Sequence, residues 1–359
     1  MTDSGAPDID AVRSYAFTLY TQLSGFLLTG TVWVGVHLGL YRAMAGAGPV
    51  SADGLAAATG LHPRWVLEWM RAQGAAGLLR HAGDEHFELP PEGAAVLVDE
   101  DHLFYAGGTF GHIPLRAAQL ADLPESFRTG LGHTWDDRGA EGAAATEGLF
   151  RNWYRTMLVP VMLPALDGVA ERLRHGARVA DVGCGAGVAL IETAKAFPSS
   201  EFHGYEVSER ALERADANRA AVGLTNVTFH HAADDPLPAD GSFDLVMTLD
   251  CVHDMTRPTE VVAALRRAVA DDGTWLWAEP KALPSFEENV ERNPMVAMMY
   301  ATSLTSCMSS AMSEPGGEGL GTLGIPETRA RAMAAAAGFT RFEVHDFDNP
   351  VNVYFEVRP

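Results

Sequence analysis

In the first half of the chain the apolar positions recur at helical spacing. Residues 11–45 read as helical and largely apolar. Ser51 can cap a short helix with Leu55 and Ala56 on its buried side, and Gly60 ends it. His62 and Pro63 open a further helix in which Val66, Leu67, Met70 and Leu78 recur. Gly83-Asp84 then turns between two short extended runs. Helices followed by a hairpin are the order of a winged helix. Residues 90–145 are mixed and Gly-rich in places, and 146–173 read as one or two helices. From residue 178 the pattern changes to alternating strand and helix. The predicted strands are 178–182, 201–206, 227–231, 243–249 and 274–279, with helices at 187–197, 208–222 and 258–270. Short apolar strands separated by helices imply a parallel, doubly wound α/β sheet. Residues 342–347 and 351–357 flank Asp348-Asn349-Pro350 and read as an antiparallel hairpin at the sheet edge.

This pattern divides the 359 residues into a disordered tail (1–10), a helical winged-helix domain (11–100), a helical linker region (101–173) and an α/β domain (174–359). The 47% apolar content supports a substantial core. The 47 acidic residues against 26 basic ones give a net charge of −21, which disfavours nucleic acid and anionic membranes as partners. The uncharged stretch 14–41 has polar residues throughout, four glycines and no flanking Lys/Arg cluster, so buried helices are preferred to a membrane span. Cys184, Cys251 and Cys307 form no disulfide or zinc spacing, and with the acidic, polar N-terminus they fit a reducing cytoplasm.

The first predicted strand of the α/β domain ends in Asp181-Val182-Gly183-Cys184-Gly185-Ala186-Gly187 and runs into a helix. Glycines let a ligand approach the backbone, and a helix N-terminus offers free N–H groups. Val188 breaks the dinucleotide pattern G-x-G-x-x-G, and no P-loop is present. The next strand ends in Glu206, a carboxylate suited to the hydroxyls of a ribose.

These residues, with Gly241-Ser242-Phe243-Asp244-Leu245-Val246, resemble the class I S-adenosylmethionine-dependent methyltransferases over roughly residues 145–359. The resemblance implies a Rossmann-like seven-stranded sheet. It implies that Gly183, Gly185 and Gly187 frame the methionine part of S-adenosylmethionine, that Glu206 meets the ribose, and that Val207 lies against the adenine. Asp181 and Asp250 are taken with this cofactor site. Where the family carries an acid near the adenine amino group, this chain aligns Ala233, with Asp234 one residue late.

His253 follows the fourth strand of the α/β domain, where ligands of open α/β sheets bind. A neutral imidazole there suits removal of a proton from an attacking hydroxyl. The layout also resembles small-molecule O-methyltransferases of the plant and hydroxyindole type, in which a winged-helix domain mediates dimerisation. In that group the catalytic His is followed by Asp, as in His253-Asp254, and then usually by Trp, where this chain has Met255. Glu279 matches the acid at the end of the fifth strand, and Glu327 is a looser match to a second orienting acid. Closer still is a bacterial group of winged-helix methyltransferases with a similar His-Asp pair and a similar ending, Tyr354-Phe355-Glu356-Val357.

Met298, Met299 and Met308 lie in a Met-rich segment that suits an apolar substrate wall. Trp153, Tyr154 and Met157 can close that wall from the other side, and their aromatic content favours an aromatic or apolar acceptor. Glycines at 316–324 suggest a mobile edge. Methyl transfer to oxygen is the first expectation, and transfer to carbon or nitrogen the alternative. A regulator that binds S-adenosylmethionine is the reading from a different class, though the candidate recognition helix has only two arginines. The further expectations are a small-molecule substrate, a homodimer formed through the N-terminal domain, a role in secondary metabolism, and no metal, nucleic-acid or membrane partner.

Overall fold

The computed structural model of the protein describes residues 7–359, in two compact units that meet between Pro114 and Leu115. The chain that the linear pattern sets aside as a linker (101–173) is therefore divided, and most of it folds with the sheet. The tail expectation concerns 1–10. Residues 1–6 lie outside the described residues, and Ile9 and Asp10 already belong to a helix.

The first unit opens with the 29-residue helix Ile9–His37, capped by Asp8, and continues with Leu40–Met44. Ser51 caps Ala52–Thr59, and Gly60 ends it in the left-handed region at φ 70°. His62 caps Pro63–Ala75, which stops three residues short of Leu78 because the chain turns at Gly77 (φ 76°). A three-stranded sheet forms the wing, with strands β1 (Val50–Ser51), β2 (Arg80–Gly83) and β3 (His86–Glu88) in the order β1-β3-β2. Tyr41, Trp69, Met70 and Phe87 fill its core. A buried polar chain runs through that core. Tyr41 donates to Gln73 Oε1 (2.6 Å), and Gln73 Nε2 donates to Thr31 Oγ1 (2.8 Å). No helix among the described residues is long and apolar enough to cross a membrane.

The second unit carries a seven-stranded sheet built from β4 (Arg178–Val182), β5 (Glu201–Glu206), β6 (Val227–His231), β7 (Phe243–Leu249), β8 (Val269–Pro280), β9 (Arg341–His345) and β10 (Asn352–Arg358). Their order is β6-β5-β4-β7-β8-β10-β9, and β10 runs antiparallel to both its neighbours. β8 begins five residues before the predicted strand, with an irregular register where Phe243 and Leu245 meet it. Alternation along the strands feeds two apolar layers. Val179, Met247, Leu276 and Ala278 join one core, while Ala180, Val246, Trp275 and Trp277 join the other. That two-sided burial is why these strands read as continuous apolar runs.

Ahead of the sheet, Gly139–Trp153 is α-helical and Tyr154–Met162 continues as a π-helix containing Pro160. Proline lacks an N–H, so the regular ladder cannot run through it. Here the reading of 146–173 as one or two helices gives way to a wider turn and two further short helices, Leu163–Ala165 and Val169–His175.

Candidate active site

The glycine loop follows β4, and each of its glycines has positive φ: 76° at Gly183, 53° at Gly185 and 72° at Gly187. A Cβ on Gly183 would come within 2.8 Å of Cys251 Sγ, and one on Gly187 within 2.5 Å of the Phe229 ring. Gly185 alone of the three faces open space. The loop is thus packed on two sides and open at its centre, ahead of the helix Val188–Ala196.

Glu206 braces this loop from the end of β5. Its Oε2 accepts from Gly185 N (2.8 Å), and its Oε1 accepts from Val207 N (2.8 Å) and Ser208 N (3.0 Å). Burial raises its pKa, and those three N–H groups pull it back. Asp181 is 1% exposed, and its Oδ1 is buried without a hydrogen-bond partner. Burial, with added repulsion from Glu206, pushes its carboxyl up to about 7. Val207 is exposed beyond Glu206. Asp234 is exposed and pairs with His231 Nδ1 (2.8 Å), while the same imidazole's Nε2 lies 3.1 Å from Val207 O. Ala233 is exposed in the turn that follows β6.

Asp250 follows β7 in the left-handed region at φ 64°, a conformation that Asp tolerates better than most residues. Asn352 Nδ2 holds its carboxylate at 2.5 Å, and burial raises its pKa to about 6. This bend starts the short turn Val252–Asp254, which carries His253. The imidazole is 1% exposed, and its Nδ1 lies 2.6 Å from Glu279 Oε2. Trp277 Nε1 donates to the other Glu279 oxygen at 2.7 Å. Glu279 is fully buried, so both of its oxygens are fixed. A ring nitrogen of His253, a carboxylate oxygen of Asp254 and Cys307 Sγ lie within 4.8 Å of one another. Burial alone depresses the His253 pKa. The proximity of Cys307 and Glu279, by charge and by hydrogen bond, reverses that and holds it well above the usual histidine value. Burial raises the Asp254 carboxyl to about 7.

Other residues singled out from sequence fall in different places. Tyr154 reaches the carboxyl end of β7, its hydroxyl 3.4 Å from Leu249 O, while Trp153 and Met157 pack against the core beside it. Met299 is buried, Met308 is 37% exposed and Met298 is 55% exposed, so Met298 is no part of an enclosed wall. Glu327 does not orient His253. It sits half-exposed at the start of Glu327–Ala337 and accepts from Arg331 Nε at 2.8 Å. The glycine-rich segment expected to be mobile is pinned: Gly321 N donates to His253 O (3.1 Å) and Glu318 N to Thr256 O (2.9 Å).

Several residues at the site had no sequence signal. Asn352, Trp277 and Cys307 converge on it from distant positions. Asp136 accepts from Ser208 Oγ (2.5 Å) and from the N–H groups of Glu209 and Arg210 (both 3.2 Å), capping the helix behind Glu206. Only the density of apolar residues around Trp277 hinted at a buried donor.

A sheet in this strand order with one reversed strand, and a glycine loop and an acid at the ends of β4 and β5, are the features of the class I methyltransferase fold. Residues 173–321 match the family described as Methyltransferase domain, and residues 27–99 match the Rv2258c-like winged HTH domain. The chain thus carries a methyltransferase domain preceded by a winged HTH domain. Among curated proteins it is 29% identical over 229 residues to demethylspheroidene O-methyltransferase of Cereibacter sphaeroides, covering 61% of this chain and 59% of that protein. It is 29% identical over 170 residues to ajmaline N-methyltransferase of Rauvolfia serpentina, covering 42% and 55%. The chain thus spans less than two thirds of the length of these relatives. Among solved structures, human N-acetylserotonin methyltransferase in complex with SAM aligns with a TM-score of 0.69 at 15% identity, covering 100% of this chain and 99% of that one.

S-adenosylmethionine is the methyl donor of this class, and the residues present fit it. The unpartnered Asp181 oxygen offers an acceptor for an ammonium group, and Gly185 leaves room against the backbone. Glu206 has used three lone-pair sites and retains capacity for a hydroxyl.

Proposed function

We propose that the protein transfers a methyl group from S-adenosylmethionine to an oxygen of a small molecule, with His253 as general base. The observation that carries this reading is the join between the two halves of the site. Gly183 of the donor loop packs directly on Cys251, two residues before the buried His253–Glu279 pair. S-adenosylmethionine, when bound, supplies an electrophilic methyl carbon on a sulfonium.

The chain's own residues do the rest. Asp181 receives the ammonium, Glu206 the ribose, and Val207 covers the adenine edge. Glu279 holds Nδ1 of His253, which fixes the tautomer and leaves Nε2 to accept the acceptor's proton. Trp277 keeps the Glu279 carboxylate from rotating. Tyr154, Trp153 and Met157 form the apolar side that aligns a flat acceptor for in-line attack.

The His253–Asp254–Cys307 group has donors of the right kind for a divalent ion, but the guanidinium of Arg138 lies close enough to Asp254 and Cys307 to oppose one. Activity is expected to survive EDTA. The regulator reading loses support at the recognition helix, where Arg64 pairs with Glu68 (2.5 Å) and Arg71 with Glu85 (3.0 Å). A homodimer is supported by the helix Ile9–His37, which exposes Tyr15, Phe17, Tyr20, Leu23, Phe26 and Leu27.

The test is turnover of a hydroxyarene and arylamine panel with S-adenosylmethionine, read by product mass and by the methylated atom. His253→Ala should lower saturated turnover about 10²- to 10⁴-fold. Near-normal turnover in that variant would remove the base assignment, and a methyl found on nitrogen would favour the alternative.

A further inference from the structure

In this acidic chain, two arginines stand beside the His253 turn without a carboxylate of their own. Arg138 ends the short helix Asp136–Arg138, and its two Nη atoms donate to Ser306 Oγ (3.0 Å) and Ser306 O (2.9 Å). Its guanidinium carbon lies 3.9 Å from the Trp135 ring centroid. Its Nε–H is buried with no partner. That edge of a guanidinium, Nε with one Nη, is the fork that grips a carboxylate in two places. Arg116, on the helix Ile113–Gln119, is half-buried and lies near enough to Arg138 and Cys307 for their charges to interact.

The position of Arg138 is built. Gly132 N donates to Met312 O and His133 N to Ser309 Oγ, both at 2.9 Å. On the other side Asp136 caps the helix that follows Glu206. The strap 132–138 is therefore tied both to the segment 306–312 and to the cofactor side. Ser306 precedes Cys307, whose sulfur lies within 4.8 Å of the His253 and Asp254 side-chain atoms. The acids felt by Arg138 are Asp254, itself buried, and Asp137, which accepts from Thr134. Among the described residues, neither arginine has an acid within ion-pair distance. A desolvated cation with an idle donor is costly, and an incoming anion removes that cost.

We propose that the methyl acceptor is an anion, a small hydroxylated molecule whose carboxylate is held by Arg138 and Arg116 while its hydroxyl faces His253. The inference rests on the methyl-transfer reading and names its substrate class. A wholly apolar acceptor leaves both guanidiniums uncompensated, whereas a hydroxyarene carboxylate satisfies them and still presents a ring to Tyr154 and Trp153.

The experiment is calorimetry on the full chain saturated with S-adenosylhomocysteine. The probes are 4-hydroxybenzoate and 4-hydroxycinnamate, each beside its neutral amide. The acids should bind at least about tenfold more tightly than the amides, and the preference should shrink to about twofold in Arg116→Met and in Arg138→Met. Arg138→Lys should keep part of it. Amides binding as well as acids, no acid binding at all, or a preference that survives both Met substitutions would overturn the proposal. Arg116→Met carries the test if loss of the Ser306 contacts unfolds Arg138→Met. S-adenosylhomocysteine binding by the wild type, measured first, separates the two ideas, since its absence sinks the methyl-transfer reading itself.

Discussion

Asp181, proposed to receive the ammonium of the cofactor, is a buried carboxyl held at the expense of stability. Its carboxyl titrates near 7 in the folded chain, well above the ordinary value of 3.8, so the folded state binds a proton that the unfolded state has released. Stability therefore falls as pH rises from the unfolded value towards 7. Asp181→Asn should make the ligand-free protein more stable near neutrality, seen as a higher Tm, and yet weaken S-adenosylmethionine binding by about tenfold or more. Unchanged affinity would remove Asp181 from the cofactor site. His253 is shifted in the same direction. Its pKa is raised, so the imidazole proposed as base is neutral only as pH climbs beyond the ordinary histidine range. kcat/KM should rise through neutral pH towards alkaline values. Glu279→Gln should lower turnover and move that limb down; a limb that stays in place would leave Glu279 a packing residue. Neither shift was readable along the chain, because each depends on groups from separate strands.

At the scale of elements, close approach sets the tolerances. Gly35 lies where the helix Ile9–His37 meets Tyr41 and Trp69, and a Cβ there would come within 2.5 Å of the Tyr41 ring and 2.6 Å of the Trp69 ring. Both rings are buried and tied by hydrogen bonds, so they cannot step aside. Gly35→Ala should cost about 1–3 kcal/mol of stability in denaturant unfolding, while S-adenosylhomocysteine affinity stays at the wild-type value. A neutral effect on stability would mean that the helix contact is looser than the packing implies. The π-helix Tyr154–Met162 is the element least legible in sequence. Its residues have ordinary helical spacing, and only Pro160 hinted that a regular ladder could not persist.

For the whole molecule, charge and exposed apolar surface point in different directions. A net charge of −21 keeps copies apart at long range, yet the first helix exposes aromatic rings along much of its length. Light scattering should give twice the 38.4 kDa chain mass, and Tyr20→Glu combined with Phe26→Glu should return it to that of one chain. A wild type that is already monomeric would leave the helix face to another partner. The same acidity makes the two uncompensated arginines conspicuous. They are a local exception that net charge conceals, which is why the sequence suggested an aromatic or apolar acceptor with no sign of an anionic group, and the anionic acceptor proposed above rests on the fold.

Local rules were enough for what depends on neighbours along the chain. The caps Ser51 and His62, the αL stop at Gly60, the strand–loop–helix at 178–196 and the acid ending β5 all follow from residues within a few positions of each other. Alternation and apolar runs likewise set the strands that carry Glu206 and Glu279 and the one that leads into the His253 turn. What tertiary structure decided is which distant side chains share one volume. Nothing in spacing says that Asn352 holds Asp250, that Cys307 faces His253, or that Glu327 turns away to Arg331. Those outcomes depend on sheet order and on desolvation, and both are properties of the packed chain: a carboxyl or guanidinium acquires its chemistry from the dielectric and charges around it, which exist only once the strands are assembled.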